Sequence, residues 1–343
     1  MDSAPRTGPD PVLQLHELAY SLGVSAALTA AATLGVADAV GDGPVHVDAL
    51  AEAVGAHPGA LRQLMRALAG HGVFQEDSAG RYGHTPLSRA LRADAPNSRK
   101  PWVELAGADF AWRIWARLTD SIRTGEAVFP EIFGTDMFTY LAEHRPEIGA
   151  VFDAAAAKST EAAADALAGT MDIGSATTVA DIGGGKGRLL RAVLERHDGL
   201  RGVLFEMPRI LADADPELRD GGSLAGRCRI VPGDCHADVP VKADIYLIKG
   251  VLHMWDDDTA AGVLRNIARN AAPGARVIVI DQLLDATTTP RIAGVIDLLM
   301  LVSQGGKERT TDEFRDVFER AGLELRRTFP ASPVMHLVEG VVR

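Results

Sequence analysis

The sequence predicts an α/β fold: a doubly wound parallel sheet in the second half, preceded by a mostly helical domain with a winged-helix pattern. Residues 11 to about 170 repeat apolar positions at helical spacing, whereas residues 177–343 alternate short apolar runs with amphipathic stretches. Such a change of rhythm marks a domain boundary. Residues 45–92 follow the order helix, turn, helix, hairpin, and a glycine-rich loop follows the first apolar run of the second half.

In the first half, Val47-Asp48-Ala49-Leu50-Ala51 reads as a capped helix start and Gly55-Ala56-His57-Pro58 as a turn. Leu61, Leu64, Met65 and Leu68 then share one helical face. Gly72-Val73-Phe74 and Ser78-Ala79-Gly80-Arg81-Tyr82 form a short hairpin. A winged helix serves either DNA binding or packing between subunits. Nucleic-acid affinity comes largely from neutralised phosphates. Here the net charge is −11, and residues 59–70 carry only Arg62 and Arg66 as basic groups. Packing is therefore expected, with no nucleic acid as partner.

At 343 residues, 47% hydrophobic and 24% charged, the chain has the make-up of a soluble protein of one large or two ordinary domains. Its two cysteines, Cys228 and Cys235, give neither a disulfide framework nor a metal-ligand spacing. No stretch approaches the roughly 18 apolar residues of a membrane span. Met1-Asp2-Ser3-Ala4-Pro5 lacks the basic and then apolar order of a signal peptide. A cytoplasmic protein with no metal and no membrane contact is expected.

In the second half, Thr178-Val179-Ala180-Asp181-Ile182 is a strand ending at Gly183-Gly184-Gly185-Lys186-Gly187, and a helix with Leu189, Leu190, Val193 and Leu194 on its apolar side follows. Further strand candidates are residues 202–205, 228–231, 245–248 and 276–280. A parallel doubly wound sheet binds ligands at the carboxyl ends of its strands. A dinucleotide fingerprint counted from Gly183 needs glycine at position 188, where Arg188 stands. The G-x-G-x-G run suits a ligand without a pyrophosphate. Glu206 ends the next strand, 23 residues beyond Gly183, where a carboxylate accepts hydrogen bonds from both hydroxyls of a ribose. Asp234 is expected at the end of the third strand, placed to meet an adenine amino group. His253 falls just past the fourth strand, at the edge where reacting groups must sit.

The segments 179–187, Phe205-Glu206-Met207-Pro208, Gly233-Asp234, 247–258 and Gly305-Gly306-Lys307-Glu308-Arg309-Thr310 resemble those of the small-molecule O-methyltransferases. That family includes plant caffeate and flavonoid enzymes and bacterial antibiotic-tailoring enzymes. Thr124-Gly125-Glu126 and Phe138-Thr139-Tyr140-Leu141 extend the likeness over nearly the whole chain. It implies a Rossmann-like catalytic domain at residues 171–343, linking helices at 101–170 that contribute to the acceptor pocket, and a winged-helix dimerisation domain at 1–100. It also implies a homodimer, as do apolar helical stretches such as residues 22–40.

The cofactor implied by the resemblance is S-adenosylmethionine. Gly183 would contact its methionine end, with Asp181 and Gly185 in the same set, and Glu206 its ribose. Asp234 and Cys235 would flank the adenine, and Lys249 would hold the cofactor from the end of its strand. His253 matches the general base, with Asp281 and Glu308 as the acidic residues that orient it. Asp281 is shorter than the glutamate usual in the plant enzymes, and Met254 replaces a common aspartate. The acceptor side would include Met254, Trp255, Met300, Gln304, Phe152 and Ala156. Met300 matches one of the family's two clamping methionines; the other falls in the run Ala154-Ala155-Ala156-Ala157, which suggests a wider pocket for a bulky natural product.

The expected reaction is methyl transfer to an acceptor hydroxyl. A phenol of pKa about 10 is protonated at neutral pH, and an imidazole can take that proton as the new bond forms. Three alternatives use the same residues differently: a nicotinamide-dependent reductase, a ligand-sensing transcription regulator, and a family member that uses the cofactor for hydroxylation or decarboxylation.

Overall fold

The computed structural model describes residues 10–96, 98–286, 291–332 and 334–343, so Met1–Pro5 lie outside the described residues. The chain divides into two compact units, one of Met1–Trp112 with Pro146–Ala155, the other of Arg113–Arg145 with Ala156–Arg343. Residues 101–170 thus contribute to both.

In the first unit, helices Ser21–Thr33, Val36–Val40, Val47–Ala53 and Pro58–Gly70 accompany a small antiparallel sheet of β1 (Val45–His46), β2 (Phe74–Glu76) and β3 (Arg81–His84), in the order β1-β3-β2. Its core holds Leu50, Leu61, Met65, Leu68, Phe74 and Tyr82, all nearly inaccessible. Leu64, expected on the same face, is only half-buried. The helix at Val47 has no Ser, Thr or Asp cap: His46 occupies that place, and its Nδ1 accepts from the Asp48 N–H at 3.4 Å. Arg62 is tied to Asp48 at 3.2 Å, leaving little free basic charge on the second helix.

The second unit is built on seven strands: β4 (Thr178–Ile182), β5 (Arg201–Glu206), β6 (Cys228–Pro232), β7 (Ile245–Lys249), β8 (Arg276–Asp281), β9 (Leu323–Pro330) and β10 (His336–Val342). Their order is β6-β5-β4-β7-β8-β10-β9. β4 to β8 pair in parallel, but β10 runs antiparallel to both β8 and β9. The sheet is therefore mixed rather than wholly parallel as expected. The reason is chain length: only residues 331–335 join β9 to β10, enough for a hairpin but not for the dozen or more residues of a parallel crossover. β6 stops at Pro232, so Asp234 lies beyond the strand rather than at its end.

The inner strands β4, β7 and β8 are buried along almost their whole length, as expected where helices cover both faces. The helix Arg188–Arg196 buries Leu189, Leu190, Val193 and Leu194 against one face. Asp257–Asn270 and Thr311–Arg320 cover the other, burying Val263, Leu264 and Ile267, and Phe314, Val317 and Phe318. Asp256 caps the first of these through the Thr259 N–H at 2.7 Å, and Thr310 with Glu313 forms a capping box on the second. The strand order reverses between β4 and β7, which opens a crevice at their carboxyl ends.

The antiparallel addition is fastened by a buried carboxylate. Glu339 on β10 accepts from Arg276 Nε and Nη2 on β8 at 2.8 and 3.0 Å, and from Arg327 Nε on β9 at 3.0 Å. Burial raises its pKa, but the Arg276 and Arg327 hydrogen bonds and charges outweigh it and hold it below the usual range. Such a group adds stability above its unfolded pKa, and the contribution is lost as pH falls through the lower folded value. Glu339→Gln is expected to cost near the low end of roughly 3–5 kcal/mol for breaking a buried pair, because Arg327 is half-exposed. Urea denaturation should show the gap between wild type and variant closing as pH falls from about 7 to about 3. A constant gap across that interval would contradict the account.

Candidate active site

The loop after β4 turns through Gly183 and Gly185 at φ 66° and 59°, a region open to residues without Cβ. A Cβ at Gly184 would stand 2.5 Å from Asp181 Cγ, so the backbone lies directly against that carboxylate. Glu206, buried at the end of β5, accepts from the Gly185 N–H at 2.9 Å through Oε2 and from the Met207 N–H at 2.7 Å through Oε1. The ribose carboxylate expected from the sequence thus also holds the glycine loop. Asp181 is buried, and neither of its carboxylate oxygens has a partner at ordinary hydrogen-bond distance among the described residues, the Leu190 N–H acting on it only weakly. Burial pushes its pKa up to about 7, opposed by the Lys249 charge.

Lys249 ends β7 and donates to Thr160 Oγ1 at 3.1 Å. Burial lowers its pKa, against the charges of Asp281 and Asp181. Past β7 the chain makes a single 3-10 turn, Leu252–Met254, which carries His253. His253 Nδ1 lies 2.8 Å from Glu308 Oε1. With Nδ1–H donating to that carboxylate, Nε2 is the ring nitrogen left for a reacting group. Burial lowers the His253 pKa, but the Glu308 hydrogen bond and the charges of Asp281 and Glu308 outweigh it and raise it above the ordinary value. Glu308 is fully buried; Gln282 Nε2 also donates to its Oε1 at 3.3 Å, and Asp297 Oδ1 accepts from its N–H at 2.8 Å.

Of the two acids expected to orient the imidazole, only Glu308 makes the bond. Asp281 Oδ1 accepts from the Gly250 N–H at 3.0 Å, so its side chain holds the backbone that leads into the turn. The shorter side chain is committed to the nearer backbone donor. Burial pushes its pKa up to about 6.

Asp234 and Cys235 lie in the turn after β6, where the Asp234 carboxylate accepts from the His236 N–H at 2.9 Å. Asn266 Nδ2 fixes the turn through the carbonyls of Cys235 and His236 at 2.8 and 2.9 Å. Burial pushes the Cys235 thiol up to about 12, making it a neutral wall. Asp234, Cys235 and His236 bring possible metal-ligand atoms within 4.8 Å of one another, as consecutive residues of one turn. Met254 and Trp255 pack against the core, and Trp255 makes an edge contact with His236 at 4.2 Å between centroids. Met300 is buried in the helix Ile292–Gln304, whose last residue, Gln304, is half-buried. Ala156 is half-buried in the second unit. Phe152 belongs to the first unit, with its ring 6.2 Å from that of Trp102. The side chain of Ala157 lies outside the described residues.

Gln282, Asp297 and Thr160 escaped the sequence reading, and none of the three carried a motif signal.

A family model described as the O-methyltransferase domain matches residues 115–324, and one described as the O-methyltransferase dimerisation domain matches residues 16–94. The chain belongs to the O-methyltransferase family. It is 41% identical over 313 residues to the mitomycin biosynthesis 6-O-methyltransferase of Streptomyces lavendulae, covering 90% of this chain and 88% of that one. It is 37% identical over 316 residues to the phenazine O-methyltransferase of Lysobacter antibioticus, covering 92% of each. The solved S-adenosylhomocysteine-bound methyltransferase of calicheamicin biosynthesis matches with a TM-score of 0.86 at 33% identity, over 98% of this chain and 100% of that one. A relative with another activity in its name is the aclacinomycin 10-hydroxylase of Streptomyces purpurascens, 33% identical over 304 residues, 87% of this chain and 81% of that one.

This O-methyltransferase depends on S-adenosylmethionine, which sets aside the nicotinamide-reductase and transcription-regulator alternatives. The residues present fit that cofactor. A glycine backbone without side chains turns over the buried Asp181 carboxylate, whose oxygens lack a close partner among the described residues, and Glu206 stands beside it at a strand end. Glu206→Ala is expected to weaken S-adenosylhomocysteine binding by about 1.5–3 kcal/mol, the range for hydrogen bonds to a charged group. Calorimetry would check it, and unchanged affinity would remove Glu206 from the cofactor set.

Proposed function

We propose that this O-methyltransferase methylates a phenolic hydroxyl of a small, polycyclic or otherwise bulky natural product, with His253 as general base and Glu308 as the acid that orients it. The observation that carries this reading is the 2.8 Å contact between His253 Nδ1 and the buried Glu308, at the carboxyl edge of the sheet. Residues 171–343 hold the cofactor and the base, and residues 1–100 serve dimerisation.

Bound S-adenosylmethionine supplies an electrophilic methyl group on a sulfonium. The protein aligns the acceptor oxygen behind that methyl, and orientation of this kind is worth up to roughly 7–11 kcal/mol. His253 Nε2 accepts the hydroxyl proton as the oxygen forms its bond to carbon. Glu308 keeps Nδ1 protonated, so Nε2 presents its lone pair, and stabilises the imidazolium that results. Asp281 holds the Gly250 amide, and through it the start of the turn.

The hydroxylase among the relatives supports a second reading, in which the product gains oxygen instead of methyl. A screen of hydroxylated aromatics with isotope-labelled S-adenosylmethionine, read by product mass, separates the two: label in the product supports methyl transfer, and an added oxygen without label supports the other.

His253→Ala is expected to lower turnover about 10²–10⁴-fold while leaving cofactor affinity nearly unchanged. A base works deprotonated, so activity should rise with pH, and the raised pKa places that limb above the ordinary imidazole value of about 6.5. Glu308→Gln removes the anionic partner and should move the limb to lower pH while reducing its height. A His253→Ala enzyme within about threefold of wild type would reassign His253 to packing and leave catalysis to orientation.

The homodimer rests on the dimerisation-domain match and on Val12, Leu15 and Leu18 of the helix Pro11–Ala19, Tyr20 just after it and Leu22 of the helix Ser21–Thr33, all exposed. Sedimentation should find a dimer at micromolar concentration, and a stable monomer would refute it.

A further inference from the structure

His253 stands on one turn of 3-10 helix between β7 and the helix Asp257–Asn270. A turn this short has few hydrogen bonds of its own: the Met254 N–H donates to Val251 O at 3.1 Å and the Trp255 N–H to Leu252 O at 3.2 Å. What holds it comes from elsewhere in the chain. Arg309 is 1% exposed, the largest fully buried side chain among the described residues. Its Nη1 donates to Leu252 O at 2.9 Å and Lys307 O at 3.4 Å, its Nη2 to Trp255 O at 2.8 Å, and its Nε to Asp257 Oδ1 at 2.9 Å. One planar guanidinium therefore ties the carbonyl just before His253 to the carbonyl two residues after it, and both to the start of the next helix.

Gly306 reaches the same turn from another side. A Cβ there would stand 2.2 Å from His253 O, 2.4 Å from Met254 C and 2.7 Å from Met254 O, all backbone atoms that cannot swing aside. Between these two residues lies Glu308, whose carboxylate takes the imidazole.

We propose that Gly306 and Arg309 are positioning residues for His253: Gly306 seats the peptide that follows it, Arg309 clamps the carbonyls on either side, and Glu308 aims the ring. The three act as one unit because they belong to one short segment, so the ring and its backbone are registered against the same piece of chain. Arginine is required because its donors form a fixed fork, whereas a lysine ammonium is a single point that cannot span Leu252 O, Trp255 O and Asp257 together. The buried charge is balanced by Asp257, whose second oxygen faces Lys307 Nζ at 3.5 Å. A displacement of about 1 Å at a reacting group can cost 10²-fold in rate. The catalytic part of the inference rests on His253 as base; the positioning part does not.

The test is built on that difference. In protein with isotope-labelled histidine and bound S-adenosylhomocysteine, nitrogen NMR reads the tautomer and titration of His253 without any acceptor. The charged groups facing the ring are Glu308, Asp281 and Lys249. Wild type should show the Nδ1–H tautomer and a titration above the ordinary imidazole range. Arg309→Lys keeps the charge but loses the fork; it should shift the titration back toward the ordinary range and mix the tautomers, with S-adenosylhomocysteine affinity retained. Gly306→Ala, which leaves Arg309 in place, should do the same from the other side and serves if Arg309→Lys fails to fold. Wild-type tautomer and titration in a folded variant, while Glu308→Gln shifts both, would overturn the proposal. With the best acceptor from the screen, Arg309→Lys should lower kcat roughly 10–100-fold with KM little changed, and should have no further effect in a His253→Ala background. An equal loss in both backgrounds would show that Arg309 acts otherwise than through His253. A His253→Ala enzyme near wild type would sink the base assignment while the NMR result still decides the positioning.

Discussion

The crowding of carboxylates at the carboxyl edge of the sheet is the constraint on which the site depends. Asp181, Glu206 and Asp281 end or nearly end β4, β5 and β8, and Glu308 approaches from beyond β8, all of them buried. Removing an ionised carboxylate from water is costly unless it is paired or hydrogen-bonded. Each is handled differently. Glu206 takes two backbone N–H groups, Asp281 takes one, and Glu308 takes the imidazole and an amide. Asp181 feels only a weak pull from the Leu190 N–H and is pushed toward its neutral form. Half-buried Lys249 is a cation facing two of them. The surplus of negative charge suits a ligand that carries a sulfonium, since a bound cation would favour the ionised carboxylates.

That arrangement follows from topology. Parallel strands bring their carboxyl ends to one edge, and the reversal of order between β4 and β7 parts the helices there. The antiparallel pair β10-β9 then closes the far side of β8, with Glu339 linking three strands through two arginines. β8 is thereby an inner strand, and Asp281 at its end is shielded from water. The same burial that raises the Asp281 pKa to about 6 makes its hydrogen bond to the Gly250 amide worth keeping.

The candidate site also shows how a side chain is placed by a residue distant in sequence. His253 and Glu308 are 55 residues apart, and the segment that bears Glu308 returns to the turn after two helices and a strand. The turn is too short to be rigid alone. Its geometry is over-determined by the groups around it: a carboxylate on the ring, a guanidinium on two carbonyls, and a glycine backbone pressed against the peptide between. Fixing a side chain by its backbone as well as its ring is what the proposed role of His253 as base requires, since near-attack geometry tolerates little displacement.

The sequence by itself determined the elements and where along them the candidate site residues fall. Local patterns are enough for that: continuous apolar runs for β4 to β8, helical spacing at Leu61, Met65 and Leu68, glycines after β4, a carboxylate at the end of β5. Pairing direction and side-chain partners are not local properties. The sheet turned out mixed because a five-residue connection forces a hairpin, a fact visible only once β9 and β10 are known to be strands. Asp281 and Glu308 were equal candidates for the imidazole in one dimension. The tertiary structure separated them by distance: Asp281 Oδ1 takes the Gly250 amide, while Glu308 reaches the ring. Arg309 was one more charged residue in a polar run until folding buried it, and burial converts a solvated cation into a clamp whose every hydrogen bond must be met.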